Sequence, residues 1–348
     1  MPSLSESSET SHSGVLTASP AAIAEAAEKL RQGGLVAFPT ETVYGLGADA
    51  TNTDAVARIF RAKGRPAYNP LICHVAGLAE AQMLGMFDQR AEKIAAAFWP
   101  GALTLIVKRR PNCPATPAVS AGLDSIAIRV PDNELALSLL RQTGRPLAAP
   151  SANRSGAVSP TTAAHVVESL GTAVDLIVDG GACRVGVEST VLAIDGPTPV
   201  LLRPGGVTLE MLTDVLGDVA LAEKSDVDQP KSPGMLASHY APNLPLRMDA
   251  RILNAESLKP GEVLLAFGPE APADPAPVLN LSENGNLAEA AANLFDYLRL
   301  LDQDVYTGIA VMPIPDQGIG RAINDRLRRA TAPRTPGSLT QTETLLEE

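Results

Sequence analysis

Arg58, Arg61, Lys63 and Arg65 form a cationic run just downstream of Thr40-Glu41-Thr42-Val43-Tyr44-Gly45-Leu46-Gly47, in a chain whose net charge is -11. Basic residues gathered beside a glycine-bearing turn in an acidic chain suit a pocket for a small polyanion better than a surface for long nucleic acid. Lys63 and Arg65 sit where a helix gives way to a loop that reaches Asn69-Pro70 and then an apolar strand. Such junctions are where α/β proteins hold ligands. Arg58 and Arg61, on the same helix, read as a solvated basic stripe.

Two further polar segments follow apolar strands. Residues 149–161, APSANRSGAVSPT, put Ser151, Asn153, Ser155 and Ser159 ahead of a Thr-capped helix. They can offer hydroxyl, amide and backbone donors to phosphate, and a plain Asn/Ser turn reads equally well. Val187-Glu188-Ser189-Thr190-Val191 is followed at strand spacing by Leu202-Arg203-Pro204-Gly205-Gly206. Arg129 stands alone between Ile128 and Val130, where an unpaired charge is costly, so it faces solvent or an anionic partner. Neither a P-loop nor a GxGxxG fingerprint is present. With no Ser-His-Asp spacing, reactive-looking Cys context or paired-carboxylate signature, covalent catalysis is not expected. The donors suit electrostatic clamping of negative charge.

The elements that must position these residues are legible in the pattern. A chain of 348 residues, 45% hydrophobic and 19% charged, is long enough for roughly two domains with buried cores. Ser19-Pro20 opens an amphipathic helix that Gly33-Gly34 ends. Strand LVAF, a helix from Thr53 and strand NPLICHV follow, and the alternation continues to helix VTLEMLTDVLG. Strands outnumber helices in its later part, which favours a twisted mixed sheet over a purely parallel one. Between about Ala222 and Pro245 the chain turns rich in Pro, Ser, Gly and charge, as a linker does. GEVLLAF, NLAEAAANLFDYLRLLD, TGIAVMPI and GIGRAINDRLRRA then predict a small α/β unit.

The Ser/Glu-rich residues 1–14 are expected to be disordered, and they have neither an apolar core nor the arginines of a transit peptide. No apolar run approaches the ~20 residues that span a bilayer, so no membrane role and a cytoplasmic location are expected. Cys73, Cys113 and Cys183 are too widely spaced for a zinc knuckle or a disulfide framework. His12, His74, His165 and His239 are equally scattered, so no protein metal site is expected.

Taken in order, PTETVYGLG, KGRPAYNPLICH, SIAIRVP, APSANRSGAVSPT, VESTV and LRPGG closely resemble the YrdC-like threonylcarbamoyl-AMP synthases over Gly33 to Gly206. SPGMLASHYAP, Ser232 to Pro242, is similar to the linker of the longer members, which carry a further C-terminal Rossmann-like domain. The resemblance implies an α/β (α+β) fold, a twisted mixed open sheet with helices around a deep cationic cavity. The implied division is a catalytic domain at 15–220, a linker or lid at 221–245 and a Rossmann-like domain at 246–348.

The activity implied is that of a nucleotidyltransferase condensing L-threonine, bicarbonate and ATP into L-threonylcarbamoyl-AMP with release of pyrophosphate. Its product feeds N6-threonylcarbamoyladenosine formation in tRNA. By the resemblance, Thr42, His74, Arg129, Ala149 (through its backbone) and Ser189 would line the threonine site. Arg65, Asn69, Ser125, Ser151, Ser159 and Arg203 would hold ATP, with Lys63 and Asn153 close by and Tyr240 closing over the nucleotide. Lys63 and Arg65 would be the catalytic cations, and Mg2+ held mainly by phosphates would share the charge. The run Leu236-Ala237-Ser238 departs from the pattern just before His239. A downstream tRNA threonylcarbamoyl transferase complex is the implied partner, with direct tRNA contact open. A second reading is an RNA-binding, translation-associated module without turnover, resting on the basic residues at 58–65 and on Arg321, Arg326, Arg328 and Arg329.

Overall fold

The computed structural model of the chain describes residues 14–222, 239–248, 258–272 and 277–332. The segments expected to be disordered (1–14) and to act as a linker (222–245) therefore lie outside it except for Gly14, Ala222 and the stretch from His239 onward.

Chain order in the first part runs β1 (Val15–Thr17), α1 (Pro20–Arg31), β2 (Val36–Phe38), β3 (Gly45–Asp49), α2 (Thr53–Lys63) and β4 (Ile72–His74). It continues through α3 (Leu78–Leu84), β5 (Gly85–Met86), α4 (Gln89–Phe98), β6 (Leu103–Arg109), β7 (Ser125–Arg129), α5 (Glu134–Thr143) and β8 (Leu147–Ala148). α6 (Ala163–Leu170), β9 (Leu176–Asp179), β10 (Thr190–Ala193), β11 (Val200–Arg203), α7 (Leu209–Leu216) and β12 (Ala220–Leu221) complete it. These strands make one 12-stranded sheet, ordered β1-β9-β2-β3-β8-β4-β7-β6-β10-β11-β12 with β5 beside β6. Parallel and antiparallel pairs both occur: β4 runs parallel to β7 and antiparallel to β8. The expected mixed sheet is what forms.

Local chemistry explains the departures from expectation. α2 is capped by Asn52, whose side chain accepts from the Asp54 and Ala55 N–H groups, and Thr53 is its first residue. The segment read as a turn after LVAF is a loop through Tyr44, but its glycines open strand β3, paired antiparallel with β2. Gly47 permits this, because a Cβ there would stand 2.7 Å from the Phe38 ring.

Strand alternation makes the sheet two-sided. Cys73, Leu105, Val107, Ile126 and Ile128 point into the main core under the helices. Their strand neighbours Ile72, Ile106 and Ala127 occupy the other face, and His74 and Arg129 continue it. Arg129 therefore shares no environment with Ile128.

The second unit contains β13 (Leu246–Arg247), β14 (Glu262–Ala266), β15 (Val278–Asn280), α8 (Leu287–Leu301), β16 (Gly308–Val311) and α9 (Gly320–Ala330). Its strands form an all-parallel four-stranded sheet in the order β13-β16-β14-β15. Val43, Val158, Val187 and Tyr240 share one apolar core with Leu294, Phe295, Leu298 and Ile323, so the two units are packed together. Arg299 on α8 pairs with Glu168 at 2.9 Å and donates to the Val158 carbonyl at 2.6 Å.

Gly186 lies close against α8. It has φ +77, and a Cβ would meet the Ala291 carbonyl oxygen of α8 at 2.3 Å. Gly186→Ala is expected to destabilise the full chain by on the order of 2 kcal/mol, combining backbone strain with a clash against backbone atoms. Urea unfolding checks this; an unchanged midpoint would mean that α8 does not rest on this loop.

Candidate active site

The second face of the sheet holds a cavity of about 510 Å3 when the space open to solvent at its mouth is counted. Thr40, Thr42, Val43 and Gly45 line it from the loop into β3, Ile72 and His74 from β4, and Arg129 from β7. Ala149, Pro150 and Ser151 after β8, Glu188 and Ser189 before β10, and Arg203 of β11 complete its floor and sides with Arg65. His239 and Tyr240 close it from beyond the first sheet.

Arg129 answers the question its sequence context posed: its partner is Glu41. The guanidinium stands 2.6 Å from the carboxylate, both side chains being at most 4% exposed. It also donates to Thr42 Oγ1 at 2.9 Å and to the Gly101 carbonyl at 3.2 Å. Arg65 is held by its own loop, donating to Asn69 Oδ1 at 2.6 Å and to the Pro70 carbonyl at 2.8 Å. Arg203 donates to the Ser189 carbonyl at 2.9 Å and to Ser189 Oγ at 3.2 Å. Lys63 Nζ donates to the Ser151 carbonyl at 2.6 Å and to that of Asn153, tying α2 to the serine-rich loop.

The field in the cavity is positive. Burial first, then the charges of Arg65, Lys63, Arg203 and Arg329, hold His239 well below the ordinary histidine range. Burial and then Arg129 push His74 down to about 3. Burial lowers Arg65 to about 9, with the Arg203 charge acting in the same direction, so it stays cationic at neutral pH. Lys63 is lowered well below its ordinary value by burial, then by Arg65. Glu188 is the one acid among the described residues that line the cavity. Both its oxygens are engaged, by the Ser159 hydroxyl and by Arg326 Nε.

His74 supplies a pH prediction. The folded chain keeps it neutral, whereas the unfolded chain protonates it below about pH 6.5. Stability is therefore lost as pH falls from about 6.5 towards 3. Between about pH 7.5 and 5.5 its share of the loss is on the order of 1 kcal/mol. Urea unfolding of wild type and His74→Gln at both values checks this. The variant should lose less by that amount, and parallel losses would contradict a neutral His74.

The structure brings Thr42, Arg65, His74, Arg129, Ala149, Ser151, Ser189, Arg203 and Tyr240 to the cavity wall. Lys63, Asn69 and Ser159 stand directly behind it, bonded to the wall residues Ser151, Arg65 and Glu188, and the Asn153 carbonyl accepts from Lys63. Ser125 does neither: it opens β7 opposite Lys108, about 13 Å of strand from Arg129. His239, which follows the departure at Leu236-Ala237-Ser238 and was not among the expected site residues, lines the wall. Glu41 and Thr40, beside Thr42 in sequence, were also missed; an acid next to a Thr pair in the same loop as the candidate site was the available signal. The arginines suggesting an RNA surface are paired instead: Arg321 with Glu210, Arg328 with Asp316, Arg329 with Asp325 and Arg326 with Glu188. Arg58, at the other cationic run, pairs with Asp175 at 2.8 Å away from the cavity.

A buried cationic cavity on a mixed sheet, closed by a His-Tyr pair, defines an enzyme of the class that handles small polyanions. Comparison with known proteins narrows the class. The Sua5/YciO/YrdC family, described as "Telomere recombination", matches residues 28–205, and a second family, "Threonylcarbamoyl-AMP synthase, C-terminal domain", matches residues 207–332. The threonylcarbamoyl-AMP synthase of Bacillus subtilis is 45% identical over 326 residues, covering 90% of this chain and 93% of its own. That of Pyrococcus abyssi is 42% identical over 323 residues, covering 89% and 94%. The crystal structure of P. abyssi Sua5 complexed with L-threonine superposes with a TM-score of 0.84 at 39% identity, covering 91% of this chain and 97% of the other. The chain belongs to the threonylcarbamoyl-AMP synthase family, in its two-domain form.

Proposed function

We propose that the cavity holds L-threonine and ATP side by side and joins them through bicarbonate carbon to give L-threonylcarbamoyl-AMP and pyrophosphate, the precursor for N6-threonylcarbamoyladenosine in tRNA. The observation that carries this reading is the lining itself: Arg65, Arg129 and Arg203 face a buried space in which Glu188, the one acid among the described lining residues, has both oxygens engaged. Arg129 already has Glu41 as its partner, whereas Arg65, 7% exposed and bonded by neutral oxygens of its own loop, is best compensated by an anionic ligand.

Thr42, His74, Arg129, Ala149 and Ser189 would take the amino acid, Arg129 and the Thr42 hydroxyl offering charge and a hydrogen bond to its carboxylate. Arg65, Ser151, Arg203 and Tyr240 would take the nucleotide, with Lys63, Asn69, Asn153 and Ser159 setting the wall behind them. The threonine amine and CO2 or bicarbonate give a carbamate. Its oxygen forms a bond to the α-phosphorus of ATP while the α–β bridging P–O bond breaks, and pyrophosphate leaves with the electron pair. No protein nucleophile is needed. The wall supplies alignment, positive charge for the leaving group and exclusion of water that would hydrolyse the intermediates.

Mg2+ fits this site as the companion of the nucleotide. Phosphate oxygens would hold it. No helix among the described residues is long and apolar enough to cross a membrane, and a cytoplasmic place beside the tRNA-modifying transferase complex fits the product's lability. Purified protein is expected to release pyrophosphate from ATP only when threonine and bicarbonate are both present. Equal release without threonine would contradict the reading.

A further inference from the structure

We propose that Arg326, contributed by the second domain, is a positioning residue for the cavity: it holds the Glu188 carboxylate against the wall and keeps it from pairing with the cations that receive the phosphates. The inference rests on the nucleotide reading given above.

Arg326 belongs to an arginine-rich helix, α9, yet is 0% exposed. Its Nε donates to Glu188 Oε2 at 2.8 Å and its Nη1 to the Pro204 carbonyl at 2.7 Å. Its guanidinium carbon lies 5.1 Å from the centre of the Tyr240 ring, within cation–π range. One side chain from the second domain thus touches the acid of the cavity wall, the residue after Arg203 and the ring that closes the site. Asp325 beside it, at 2.9 Å, shares its charge.

Glu188 explains why such a contact is needed. It lines the cavity, and its charge already reaches Lys63 and Arg203. Freed from Arg326, the carboxylate would turn towards those cations, cancel positive charge on the wall and repel a triphosphate. Masking of Glu188 therefore depends on the second domain being docked, which gives that domain a part in the chemistry of the first.

The test compares full-length wild type, Arg326→Met, Glu188→Gln and the double variant, by ATP KM at saturating threonine and bicarbonate and by calorimetric binding of ATP and of threonine. Arg326→Met is expected to weaken ATP by roughly twentyfold or more, the loss of one or two charge-assisted contacts, while threonine affinity changes by less than about threefold. Removing the carboxylate as well should restore most of the ATP affinity. A merely structural arginine would leave the double variant as poor as Arg326→Met, or would weaken threonine equally; either result overturns the proposal. If Arg326→Met does not fold, Arg326→Lys with and without Glu188→Gln carries the same comparison, and absence of rescue is again decisive. A wild-type chain that makes no pyrophosphate would fail the reading of the site instead, and ATP binding alone would then decide the role of Arg326.

Discussion

Arg65→Met is expected to lower kcat/KM for ATP by about two orders of magnitude or more, with the chain still folded. The side chain is 7% exposed and is held by Asn69 and the Pro70 carbonyl, so its direction is fixed before any ligand arrives. Charge-assisted bonds to phosphate are worth about 1.5–3 kcal/mol each. Donors aimed at charge that develops in the transition state add to that, commonly about 10²–10³ in kcat. Methionine keeps the apolar stem and removes the fork. It leaves Asn69 Oδ1 and the Pro70 carbonyl short of a donor, a stability cost of about 1–3 kcal/mol. Arg65→Lys should lie between the two, because a point charge cannot bond loop and phosphate together. Steady-state pyrophosphate release measures all three. Wild-type kcat/KM in Arg65→Met would remove this residue from the nucleotide side.

The second large effect is expected at Arg129, where stability and binding can be separated. Arg129→Met abandons Glu41, which is 3% exposed and has this guanidinium as its ion-pair partner. Breaking a buried pair from one side costs about 3–5 kcal/mol, because an uncompensated charge stays inside. Threonine binding should be lost at the same time, since Thr42 Oγ1 loses its donor and the wall its charge. The double variant Arg129→Met with Glu41→Gln neutralises the stranded acid and should recover much of the stability, while threonine binding stays absent. Urea unfolding and calorimetry with threonine give the two readouts. Recovery of both together would make Arg129 a folding residue and nothing more.

The contrast between Arg65 and Arg129 illustrates how far the sequence reaches. Arg65 was legible because its exit from a helix and its approach to Asn69-Pro70 are local events, settled by Gly64 in a left-handed cap at φ 59. Arg129 was legible as an anomaly, a charge within an apolar strand, but its partner lies in a loop far away in sequence. Glu41 could be chosen only after β4, β7 and the β2–β3 pair had been brought into register. Glycine misled at Gly45 and Gly47, which signal a turn by type yet serve a strand that passes close to the Phe38 ring.

The second domain was harder. The arginines of α9 look like a basic face in one dimension, and only docking shows that Arg326 points inward to Glu188 while its neighbours pair at the rim. Tyr240 carries its signal in the resemblance alone, since its φ of +63, its 5.9 Å stacking on Phe295 and its place over the cavity are all tertiary. Ser125, implied by the resemblance, shares the face of Arg129 on β7 but stands at the strand's far end, outside the residues that line the cavity.

The central claim, that one cavity joins threonine to AMP through a bicarbonate carbon, is tested most directly by the mass of the product. Protein incubated with threonine, ATP and either ordinary or 13C-labelled bicarbonate should yield an adenylate that contains threonine plus one carboxyl carbon and becomes one mass unit heavier with the label. A threonyl adenylate whose mass ignores the label would contradict the account, for it would mean that the cavity activates the amino acid's own carboxylate and makes no carbamate.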